Sequence, residues 1–139
     1  MLSDREVIAI VRKHIESKFP KDCVRCGRRF ESLAAYLVGT THVGDPVSID
    51  DPARLGKGFV PLAAISYANC SCGSTLAIST SGLDFFTLWR LLRWAGVSMS
   101  RQGCSMGELL ADLRRRIDEE VLREYAGREL VPDDPERSN

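Results

Sequence analysis

A chain of 139 residues, 44% of them hydrophobic and 27% charged, has the size and composition of one globular domain with a sizeable core. Nineteen basic residues balance nineteen acidic ones, so no long-range field selects nucleic acid or an anionic membrane. The longest apolar stretches, at 59–65 and 83–95, are interrupted by Gly, Pro, Asp or Arg and fall short of the roughly 20 residues of a spanning helix, so no membrane segment is expected.

The first residues, Met-Leu-Ser-Asp-Arg-Glu, lack the basic start, apolar run and small-residue cleavage site of a secretory signal, and a cytoplasmic location is expected. Thiols stay reduced there, and paired cysteines more often hold metal than form disulfides. The odd count of five cysteines also argues against a closed disulfide framework.

Ser3 and Glu6 have the spacing of a capping box, and Ile8, Val11, Ile15 and Phe19 recur at helical intervals, which predicts an amphipathic helix over 3–19 stopped by Pro20. His14 falls at the rim of its apolar stripe. The first cysteine pair follows in Cys23-Val-Arg-Cys26-Gly27. A two-turn helix is expected over 31–38, with Leu33, Ala34, Leu37 and Val38 buried and Gly39 at its end. From Gly39 to Gly58, four glycines, Pro46 and Pro52 predict a loop of about twenty residues. A strand over 59–69 and a returning strand over 74–80 then form a β-hairpin, with the second cysteine pair, Cys70-Ser-Cys72-Gly73, at its tip.

Ser81 caps a helix expected to begin near Asp84 and to end at Gly96. Phe85, Phe86, Leu88, Trp89, Leu91, Leu92 and Trp94 surround most of its circumference, so it is expected to be the covered central helix, with a subunit interface as the alternative. A second capping box, Ser105 and Glu108, opens a helix to about Tyr125 whose buried face is Leu109, Leu110, Leu113, Ile117, Val121 and Tyr125. Arg114, Arg115 and Arg116 lie four residues before Asp118, Glu119 and Glu120, the spacing of a self-paired solvated face. The expected organisation is one zinc-binding globular domain over 1–131 and a disordered acidic tail over 132–139.

The two cysteine pairs carry the chemistry. Zinc takes four soft or borderline ligands in a tetrahedron, and each short pair supplies one edge. Each pair also closes on a glycine, a residue free to take φ > 0 in a turn that aims backbone N–H groups at sulfur. One residue separates Cys70 from Cys72, but positions i and i+2 of an extended chain share a face, so their sulfurs can converge. His42 and Cys104 are the alternatives to Cys72 as fourth ligand. With these motifs and its hairpin, the chain resembles zinc-ribbon and zinc-knuckle proteins, in which two cysteine-bearing turns clamp a structural zinc. The resemblance implies Cys23, Cys26, Cys70 and Cys72 as the ligands.

A redox dithiol at Cys23 and Cys26 is the chemical rival, with Arg25, Arg28 and Arg29 available to lower a thiol pKa, and iron is the rival metal. Four cysteine ligands leave no open position for an activated water, and neither a Ser-His-Asp arrangement nor a His-Glu-x-x-His motif is present. The sequence therefore predicts an α+β fold in which a β-hairpin bearing a four-cysteine, zinc-ribbon-like site packs on three longer helices. The expected role is non-catalytic, a regulatory or adaptor module with a protein partner. The alternatives are nucleic-acid binding through Arg25, Arg28, Arg29, Arg90 and Arg93, thiol redox chemistry, and a homodimeric helix seam.

Overall fold

The chain begins with helix α1 (Asp4–Glu16), which opens on the expected capping box: the Glu6 N–H donates to the Ser3 hydroxyl and the Ser3 N–H to the Glu6 carboxylate, each at 3.1 Å. The structure, a computed structural model, describes residues 1–48 and 64–129. Val7 and Val11 are the fully covered side chains of α1, with Ile8, Ile15 and Phe19 packed more loosely against the same core. A two-residue pair of strands, β1 (Lys21–Asp22) and β2 (Arg29–Phe30), runs antiparallel and delivers Phe30 into the interior.

Helix α2 (Leu33–Gly39) starts at Ser32, whose hydroxyl accepts from the Ala35 N–H at 3.2 Å. It buries Leu33, Ala34 and Tyr36 and leaves Val38 exposed, so Tyr36 takes the core position expected for Val38. Its terminal Gly39 meets a close approach: a Cβ there would lie 2.7 Å from the Arg28 guanidinium and 3.0 Å from the Phe30 ring.

The segment after Gly39 corrects the expectation of a loop. Residues 40–48 form strand β3 (Thr40–Ser48), antiparallel to β4 (Ala64–Cys70), which also pairs with β5 (Thr75–Ser79) in the order β3-β4-β5. Gly44 and Pro46, which read as loop punctuation, sit at a register shift between Val43 and Val47 on an edge strand, with Gly44 at φ +67°. A bulge and a sheet edge are the two places where a strand tolerates these residues. The expected strand residues 59–63, the remainder of the expected loop at 49–58, and the expected tail at 132–139 lie outside the described residues. Along β4, Ala64, Ala68 and Cys70 alternate into the interior.

Helix α3 (Phe85–Gln102) is capped by Asp84, whose carboxylate accepts from the Thr87 N–H at 3.1 Å, rather than by Ser81. It runs through Gly96 and ends at Gly103, which takes the left-handed conformation (φ +65°) and returns its N–H to the Met99 carbonyl at 2.8 Å. Leu91, Trp94, Ala95 and Ser98 are buried on either side of Gly96, so tertiary packing carries the helix past a residue whose helical penalty is only about 1 kcal/mol. Beyond the adjoining helix backbone, no atom of the described residues lies within 4 Å of a Cβ built on Gly96, so Gly96→Ala is expected to stabilise the protein by about 0.5–1 kcal/mol, read as a higher urea midpoint.

The apolar ring of α3 is not covered all round. Phe85 is 72% exposed, Phe86 65% and Trp89 46%, and the central position belongs instead to helix α4 (Met106–Glu129). α4 packs against α1, α2, α3 and β3. It opens on the expected capping box of Ser105 and Glu108 and buries Leu109, Leu110, Leu113, Ile117 and Val121.

Its arginine run is only partly self-paired. Arg115 bridges Asp112 and Glu119 on its own helix, but Arg114 donates to the Gly44 carbonyl (3.1 Å) and the Ser66 hydroxyl (3.0 Å), and Arg116 reaches both Asp112 and Asp4. Asp118 pairs with His42, while Glu120 and Glu124 both meet Arg12 of α1. A sequence shows spacing within one helix; these partners come from elements 48 to 112 residues away. The fold is α+β, four helices with two small antiparallel sheets among the described residues.

Candidate metal centre

Each cysteine pair sits on a tight turn between two antiparallel strands. In the first, between β1 and β2, the Cys23 N–H donates to the Arg28 carbonyl and the Gly27 N–H to the Cys23 carbonyl, both at 2.8 Å. In the second, between β4 and β5, the Cys70 N–H donates to the Ser74 carbonyl (2.8 Å) and the Gly73 N–H to the Cys70 carbonyl (2.9 Å). Gly27 (φ +78°) and Gly73 (φ +91°) both occupy the left-handed region, where a side chain would be strained.

The two turns face each other, and the unforeseen strand β3 explains why. After the first turn the chain runs through the seven-residue α2 and enters β3, whose first residue, Thr40, is the pairing partner of Cys70. The long sequence gap between the pairs is thus closed by one short helix and one strand register.

The sulfurs of Cys23, Cys26, Cys70 and Cys72 all lie within 4.8 Å of one another. Cys23 Sγ is 3.7 Å from Cys72 Sγ, and Cys26 Sγ is 3.7 Å from Cys70 Sγ. A tetrahedron with metal–sulfur bonds of about 2.3 Å has edges of roughly 3.8 Å, so both contacts match such an edge. They are also far beyond a disulfide bond of about 2.05 Å. Cys23 and Cys70 are buried, Cys72 is partly covered and Cys26 is exposed, so the cluster has one side in the core and one near solvent.

The protonation of each sulfur follows from its neighbours. The N–H groups of Cys26 and Arg25 stabilise the Cys23 thiolate and bring its pKa down to about 6, and the Cys72 N–H lowers that of Cys70. The Arg28 N–H acts the same way on Cys26, but desolvation and the three neighbouring thiols outweigh it and push Cys26 up to about 11. Four thiolates this close repel one another, and a divalent cation is the charge that lets all four ionise together. The donor set fits a thiophilic ion held on four sides.

Neither alternative fourth ligand joins the group. His42 Nε2 is 2.9 Å from Asp118 Oδ2, and Cys104 lies beside Gln102. The arginines near the first turn are engaged locally: Arg29 with Asp22 and Glu31, Arg28 over the Phe30 ring at 5.0 Å.

On α3, Arg90 lies 5.6 Å from the Phe86 ring centre and Arg93 5.0 Å from that of Trp89, both on the exposed aromatic face. The sequence names these side chains and expects the rings to be covered, by the core or else by a second subunit; which way an all-round apolar helix turns is decided by what packs on it.

Fold and site together define an α+β chain in which two cysteine turns converge within metal-binding distance. Comparison with models of known families, with curated proteins and with solved structures finds no match. No helix among the described residues is long and apolar enough to cross a membrane.

Proposed function

We propose that this chain is a zinc-stapled adaptor module of the zinc-ribbon-like kind. Cys23, Cys26, Cys70 and Cys72 hold one Zn²⁺ in a structural site, and the aromatic face of α3 docks a protein partner. The observation that carries the reading is the four-sulfur cluster, all within 4.8 Å. Zinc suits it because the ion has no redox chemistry of its own and takes tetrahedral thiolate sites without geometric preference from d electrons. All four positions belong to the protein, which supports a structural role rather than a catalytic one.

Phe85, Phe86 and Trp89 support the partner surface: exposed aromatics interleaved with Arg90 and Arg93 have the composition of interface anchors. The test begins with elemental analysis of protein purified without a metal-affinity tag, where one zinc per chain is expected. Its thiols should resist a thiol reagent until a chelator is added. Iron in place of zinc, or a folded metal-free protein with a reversible Cys23–Cys26 disulfide, would reject the reading, the latter in favour of thiol redox chemistry.

Replacing Phe86 and Trp89 together with Ala is expected to leave zinc content intact and to abolish retention of a partner that the wild-type protein retains. Equal retention by both would remove α3 from the docking surface. The stacked Arg90 and Arg93 favour single-stranded nucleic acid as a second reading. It predicts salt-sensitive oligonucleotide binding lost when both arginines become Ala; no binding at low salt removes it.

A further inference from the structure

Along α3, Phe86, Trp89, Arg93 and Val97 follow one another at helical spacing with Phe85 beside them, and all of them are exposed. The helix carries Arg90, Arg93 and Arg101 and neither Asp nor Glu, in a chain whose charges balance as a whole. Arg101 is drawn to Asp4 at 3.9 Å. Arg90 and Arg93 lie within ion-pair distance of no carboxylate among the described residues; each rests on the ring four residues before it, Phe86 or Trp89. Glu6 feels the charge of Arg90, but its carboxylate accepts the Ser3 N–H in the α1 capping box.

A guanidinium lying on a ring keeps the N–H donors at its edge free for a carboxylate. Holding it there in advance also reduces the entropy lost when that carboxylate arrives. Two such cations set among apolar anchors ask for a partner that supplies both aliphatic surface and negative charge.

We propose that the partner docked by α3, on the reading given above, is an acidic amphipathic helix. Its aliphatic residues lie along Phe85, Phe86, Trp89 and Val97, and its carboxylates pair with Arg90 and Arg93. The stripe from Phe85 to Val97 rises about 18 Å, so the complementary segment is about three turns long. Charge disfavours the other occupants. A second copy of α3 brings arginines against arginines with no acid on either helix. Asp84, exposed beside Phe85, repels a partner that is anionic along its whole length, whether a nucleic-acid strand or an acidic bilayer. A peptide can set an apolar residue at that end and its acids further along.

The test titrates the full-length chain, as purified, with three synthetic helical peptides of about 15 residues. All carry Leu at i, i+3, i+4 and i+7, with Ala on the far side, and differ only in having Glu, Gln or Lys beside the leucines. Backbone amide resonances of 85–101 report the site. The Glu peptide is expected to shift them saturably and to bind about 10-fold more tightly than the Lys peptide, with the Gln peptide between and the gap narrowing as salt is raised. Arg90→Glu combined with Arg93→Glu should reverse the order, with metal content and the amide spectrum away from α3 showing that the variant is folded. Equal binding of all three peptides on α3 would keep the docking face and overturn its acidic partner. No shift of these amides with any peptide would overturn the proposal, and the Phe86 and Trp89 replacements described above then judge the docking face separately. Tighter binding of phosphatidylserine vesicles or of a single-stranded oligonucleotide than of the Glu peptide would overturn it in favour of that occupant. A dimer in sedimentation that Phe86→Ala with Trp89→Ala dissociates would overturn it in favour of a second copy.

Discussion

With zinc held by the four sulfurs as proposed, its removal is expected to cost the protein most of its stability, the largest single effect anticipated for this chain. Structural four-thiolate sites contribute apparent binding free energies of about 10–16 kcal/mol in small zinc domains, a span comparable to the roughly 5–15 kcal/mol by which whole domains are stable. Here the four sulfurs bring the turn at 23–27 to within metal-binding distance of the turn at 70–73, and two of them, Cys23 and Cys70, are core residues. Without the cation, thiolates at 3.7 Å repel, and the buried pair must be accommodated in apolar surroundings as thiols or isolated charges. A strong chelator should therefore abolish the cooperative thermal transition, with readdition of zinc restoring it. Cys70→Ser should behave like chelated wild type and be insensitive to chelator. An unchanged melting curve after metal has demonstrably been removed would show that the apolar core alone holds the fold.

Phe30→Ala should be the most damaging change away from the sulfurs, destabilising the protein by about 3–5 kcal/mol. Phe30 is 1% exposed and the largest of the fully buried side chains. It stands immediately after the first cysteine turn, contacts Tyr36 edge-on and carries Arg28 on its face, so it is the apolar link between that turn and the interior. Truncation opens a cavity where α2 and β2 meet and removes the surface against which the turn is set. Urea denaturation of zinc-loaded protein checks this through the midpoint at unchanged slope. A loss below about 1 kcal/mol would mean that the turn is held by its metal and backbone bonds alone.

How much of this was legible in the sequence depends on how local each feature is. The α+β class, both capping boxes, the buried stripe of α4 and the hairpin bearing Cys70 and Cys72 rest on spacings of two to four residues, which the sequence displays directly. The pairing of β3 was hidden because Gly44 and Pro46 break a strand unless it lies at an edge and carries a bulge, and neither condition is visible until β4 is beside it. Gly96 misled for the same reason: a helix end is decided by where a left-handed residue is needed, and the packing of Trp94, Ala95 and Ser98 moved that point to Gly103.

The sequence by itself supplied the candidate donors, two cysteine pairs closing on glycines with His42 and Cys104 open as alternatives to Cys72, because residue type and spacing are local. Tertiary structure decided what the donors and their neighbours face. The register of Thr40 against Cys70 brought the four sulfurs together, the packing of α4 turned Phe85, Phe86 and Trp89 outward, and the meeting of α2 with β2 buried the Tyr36 hydroxyl with no partner among the described residues. Local spacing encodes which groups a chain carries; only long-range packing, which trades burial and hydrogen bonding across the whole chain, determines where each of them points.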